Sequence, residues 1–98
     1  MSWGPGRIGR RILDALDKHR AGGDLVSIAA EVYRVAENAD GTIVVTAAQR
    51  FSVSRALWRL ARRGEVFHLG NFPGSRRRLW TRHVYESSYA LDQIEAAP

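Results

Sequence analysis

The sequence predicts a mainly α domain closed by one small β-hairpin, an α+β fold. Three stretches carry apolar residues at spacings of three and four, the mark of helices with one buried face. The third stretch has a capping signal in front of it and a glycine behind. Two short segments rich in aromatic and branched residues follow, separated by a Pro-Gly turn.

Ninety-eight residues and an apolar content of 45% suit one domain with one core. The chain has no cysteine, which excludes disulfides, thiolate zinc sites, iron–sulfur clusters and a cysteine nucleophile. No apolar run approaches the roughly 20 residues of a membrane helix. Met1 to Arg11 lacks the apolar stretch of a signal peptide. The expectation is a soluble cytoplasmic protein, without a membrane partner, that associates with the nucleoid. Residues 1–6 form an irregular lead-in, residues 7–82 the domain and residues 83–98 a C-terminal extension.

The first helix begins at Arg7, with Ile8, Ile12, Ala15 and Leu16 on its inner face, and Ala21-Gly22-Gly23 stops it. Asp24 is the N-cap of a second helix whose face carries Leu25, Ile28, Ala29, Val32 and Ala36. Glu37 to Gly41 is a turn, and Thr42 to Val45 is a β-branched run that reads as a short strand. Thr46-Ala-Ala-Gln49 is a capping box, and the third helix runs from it to Arg63 with Gly64 closing it. Glu65 to Leu69 and Arg78 to Arg82 are the hairpin strands. Pro73-Gly74 between them suits a type II turn. Tyr85 to Pro98 has the pattern of a last helix around Tyr89, Leu91 and Ile94, suited to docking or dimerisation; a homodimer through residues 83–98 is the expected assembly.

The net charge of +5 is unevenly spread. Residues 1–49 are neutral overall, and residues 83–98 carry three acids and no Lys or Arg. Residues 50–82 carry nine arginines against one acid, Glu65. A GC-rich genome would favour arginine over lysine everywhere, but it would not gather the arginines in one third of the chain. Arginine's planar fork suits phosphates and guanine edges.

On a wheel of about 100° per residue, Val53, Ala56, Leu57, Leu60 and Ala61 of the third helix share the core arc. Ser52, Arg55, Arg59, Arg62 and Arg63 share the opposite arc, with Phe51 and Trp58 at the border. Solvated helix faces usually mix charge signs, yet no acid lies between Val45 and Gly64. A helix with such a face fits the DNA major groove, where arginine grips guanine and serine takes a phosphate or base edge. The hairpin then presents Arg76, Arg77 and Arg78 together, a basic tip suited to a phosphate backbone or a minor groove.

The run Ser52-Val-Ser-Arg-Ala-Leu-Trp-Arg-Leu-Ala-Arg-Arg-Gly-Glu-Val66, followed by the hairpin to Arg82, resembles the winged-helix (winged helix-turn-helix) family of DNA-binding domains. Leu57, Leu60 and Gly64 match the family's Leu-x-x-Leu-x-x-x-Gly-like ending of the recognition helix, and the likeness covers about residues 7–82. It implies a three-helix core plus wing, and double-stranded DNA as the partner. Arg50, Ser52, Ser54, Arg55, Arg59 and Arg62 would lie on the recognition helix, and Arg76, Arg77 and Arg78 on the wing. The join Val35 to Val45 is longer than a compact helix-turn-helix turn. The strand at Thr42 to Val45 follows the second helix, where the family's first strand precedes it.

The remaining polar residues suggest no enzyme. His19, His68 and His83 lack metal-ligand spacing, and Asp14 and Asp17 read as solvated surface groups. There is no phosphate-binding Gly-x-x-x-x-Gly-Lys loop and no Ser/His/Asp arrangement. Arg82-His83-Val84-Tyr85 is too small a cluster to stand for strand transfer by a tyrosine. No catalytic residue, cofactor or metal is expected. Trp58, Trp80, Phe67 and Phe72 can be read as stacking platforms for single strands, but such aromatics more often anchor a core or interface. Trp58 is expected to pack against Trp80 or the tail. Two alternatives to a small DNA-binding regulator, or a phage- or plasmid-type factor, remain: a winged-helix protein–protein module whose arginine face meets an acidic partner, and an RNA-binding domain.

Overall fold

In the computed structural model, residues 6–71 and 78–85 are described. They form α1 (Gly6–Lys18), α2 (Leu25–Tyr33), α3 (Ala47–Arg62), β1 (Phe67–Asn71) and β2 (Arg78–Thr81). This is a small α+β arrangement, three helices followed by an antiparallel hairpin, and its layout is compatible with a winged helix.

Each helix end follows from its local sequence. Asp24 caps α2 by accepting a hydrogen bond from the Ser27 amide at 2.9 Å. The other end of α2 comes earlier than its apolar spacing suggests. Arg34 turns left-handed (φ 54°) and the Val35 amide donates back to the Ala30 carbonyl at 2.9 Å, so Ala36 lies exposed beyond the helix. The capping box of α3 is complete. Thr46 Oγ1 accepts from the Gln49 amide at 3.0 Å, and Gln49 Oε1 accepts from the Thr46 amide at 2.9 Å. Gly64 (φ 75°) closes α3 in the left-handed region, with the Glu65 amide donating to the Leu60 carbonyl at 3.0 Å.

Thr42 to Val45 does not form a strand. The Asp40 carboxylate accepts from both the amide and the hydroxyl of Thr42, and the Asn38 amide donates to the Thr42 carbonyl at 2.7 Å. These bonds tie Thr42 back to the preceding turn, and a β-branched run alone does not supply a strand partner. The outer edge of β2 is bridged by Gly23 instead, through two backbone hydrogen bonds with Trp80 of 2.9 Å each. That bridge lies before α2, and no strand lies between α2 and α3 among the described residues.

The hairpin pairs Phe67 with Thr81 and His68 with Trp80, then shifts register before Asn71 meets Arg78. Leu79, Trp80 and Thr81 are buried and Arg78 is exposed. The core is one cluster joining Ile12 and Leu16 of α1, Ile28 and Val32 of α2, Val53, Leu57 and Leu60 of α3, Val66 and Trp80. Ala61, expected in the core, is only half-buried. The Pro73-Gly74 turn, Arg76, Arg77 and a last helix around Tyr89, Leu91 and Ile94 lie outside the described residues.

Candidate nucleic-acid interface

The buried side of α3 fixes where its other side points. Val53, Ala56, Leu57 and Leu60 are buried against α1 and α2, so Arg50, Arg55, Arg59 and Arg62 are left exposed and Ser52 and Ser54 half-buried. None of these four arginines is ion-paired to a carboxylate among the described residues. Arg63 differs, lying 3.5 Å from Glu65.

The expected site residues fall on two flanks of α3. On the hairpin flank, Arg50, Ser54, Trp58 and Arg78 line a cleft of about 350 Å³ with Leu25, Trp80 and the α2 cap Asp24. Trp58 meets Trp80 edge to face at 4.9 Å between ring centres, with His68 5.8 Å from Trp58 and 5.1 Å from Trp80. The Arg78 guanidinium lies 5.6 Å from the Trp58 ring centre. On the α1 flank, Ser52, Arg55 and Arg59 line a second groove together with Phe51. Arg62 is exposed and lines neither groove.

Phe51 was expected at the border of the core. It is 63% exposed and carries the Arg55 guanidinium 5.6 Å from its ring centre. The i, i+4 spacing of an aromatic and a cation was the available signal. Arg7, at the start of α1, was missed altogether and lines the same groove. It is distant in sequence, and the helical pattern alone gave it no role.

Asp17 lies at the surface, as expected, but it is also paired: it accepts from Arg82 at 2.9 Å and lies 2.7 Å from His83 Nε2. The start of the C-terminal extension is thereby tied to α1. Among the described residues no cluster of three or more metal-ligating side chains occurs, and no helix is long and apolar enough to cross a membrane.

No family model, curated protein or solved structure matches this chain.

Proposed function

We propose that this chain is a winged-helix-type domain that binds double-stranded DNA, acting as a small transcriptional regulator or a phage- or plasmid-type DNA-binding factor. The observation that carries the reading is the one-signed exposed face of α3. Arg50, Arg55, Arg59 and Arg62 project from a helix that contains no acid, and Arg78 continues the basic surface onto β2. A helix is about 10–12 Å across with its side chains, and the major groove is about 12 Å wide. Arg55 and Arg59 sit where a docked helix meets base edges, while Arg50, Ser52, Ser54, Arg62 and Arg78 suit flanking phosphates.

The test is binding to duplexes selected from a random pool or taken from upstream of the gene. Arg55→Ala and Arg59→Ala should each weaken binding to the selected duplex by about 1–3 kcal/mol. Both variants should melt like the parent protein. Two variants that bind like wild type would remove α3 as the reading element.

A second reading is favoured by one observation. Phe51 and Trp58 are exposed and each lies 5.6 Å from a guanidinium, and aromatics with arginine are enriched at protein interfaces. In that reading the face meets an acidic protein. Duplex DNA would then bind weakly and without preference for sequence, and single-stranded RNA no better.

A further inference from the structure

We infer that the start of α1 is a second contact with nucleic acid, a clamp on one backbone phosphate beside the groove that α3 enters. This deepens the DNA-binding reading and rests on it. Arg7 from α1 and Arg55 and Arg59 from α3 line one groove of about 440 Å³, together with Gly9, Phe51 and Ser52. Among the described residues, no carboxylate lines it. Three guanidiniums brought from two separate elements onto one concavity repel each other, and an anion placed among them relieves that repulsion.

Shape and chemistry both select a phosphodiester. Gly9 and Ala56 are buried small residues at the groove, so no bulky side chain from those positions fills it. Arginine's fork offers paired donors to phosphate oxygens, and the half-buried Ser52 adds a hydroxyl. The first turn of α1 carries no acidic residue, so the positive end of that helix adds to the arginine charge. The groove opens beside Arg55 and Arg59, so a duplex whose bases meet α3 brings its sugar–phosphate edge to Arg7. A contact of this kind sets the register of α3 without reading sequence.

The experiment compares wild type, Arg7→Ala, Arg7→Lys and Arg55→Ala on a selected and a random duplex across a salt series. Circular dichroism and melting confirm that each variant is folded. The slope of log K against log salt should fall in magnitude by about 0.9 in Arg7→Ala on both duplexes, the loss of one phosphate contact. Arg7→Lys should keep the wild-type slope. If Arg55→Ala loses affinity for the selected duplex while Arg7→Ala keeps the full slope, the α1 clamp is overturned and the α3 reading stands. If wild type shows no salt-dependent duplex binding, the DNA-binding reading fails and the clamp with it.

Discussion

The outer surfaces of α1 and α3 handle charge in opposite ways. On α1, Lys18 pairs with Glu31 of α2 at 2.9 Å, His19 lies 3.5 Å from the same carboxylate, and Asp17 holds both Arg82 and His83. On α3, four exposed arginines have no carboxylate partner among the described residues. Two helices packed on the same core therefore differ in how their surface charge is met. The end of α1 exchanges charge within the domain, through links that tie it to α2 and to the end of β2. The exposed arginines of α3 have no such links among the described residues. Uncompensated charge of one sign opposes the compact state through self-repulsion, and an external anion would remove that cost.

The largest effect that can break this contrast comes from beneath it. Leu57 and Leu60 are 0% and 2% exposed and set the rotation of α3. Truncating either to Ala should destabilise the domain by about 2–5 kcal/mol, read as a lowered melting temperature. Unchanged melting of Leu60→Ala would mean that α3 does not face the core as described.

An acid placed on the α3 face sharpens the contrast next. Ser52→Glu adds a carboxylate beside Arg55 and Arg59 and makes that face resemble the α1 surface. Its loss of duplex affinity should match or exceed the about 1–3 kcal/mol expected for removing a single reading arginine. Fluorescence anisotropy with a labelled duplex checks it.

Smaller changes belong to the paired surface. Asp17→Ala removes an exposed carboxylate with two partners, and such pairs are worth about 0–1 kcal/mol. Thermal melting should move little and duplex affinity should not fall. The smallest effect is acid sensitivity at Glu31. The Lys18 ammonium donates to this carboxyl and holds it below the usual carboxylate range, with the charge of His19 adding to the effect. A carboxyl held down in the folded state adds stability above its ordinary titration range and loses it as pH falls through the lower folded value. The pair is exposed, so Glu31→Gln should remove only a slight part of the melting-temperature drop on the acid side of pH 4.5.

Features set by neighbouring residues were legible in the sequence. The capping box at Thr46, the Asp24 cap and the glycine stop at Gly64 each depend on bonds spanning three to five positions, so local residue types suffice. The apolar period of α3 likewise placed Leu57 and Leu60 inside. Thr42 to Val45 misled because β-branching favours a strand only where a partner edge exists. The edge of β2 was taken by Gly23, a residue type depleted in strands. Asp17's partners lie 65 and 66 positions away, and Arg7 reaches the α3 arginines only through helix packing. Both needed the fold. For the site, residue type and face were readable, but the division into a hairpin flank and an α1 flank was not. A wheel orders residues around one helix and says nothing of what packs beside it.

The most direct test of the unpaired α3 face is the salt dependence of wild-type binding to a selected duplex, with Lys18→Ala as the paired-surface control. Each phosphate contact contributes about 0.9 to the magnitude of the slope of log K against log salt. The account predicts a steep linear slope of about three units or more in wild type, matched by Lys18→Ala and reduced in Arg50→Ala or Arg62→Ala on loss of a phosphate contact. A flat salt response, or equal losses from Lys18→Ala and Arg62→Ala, would contradict the claim that the unpaired arginines of α3 meet DNA.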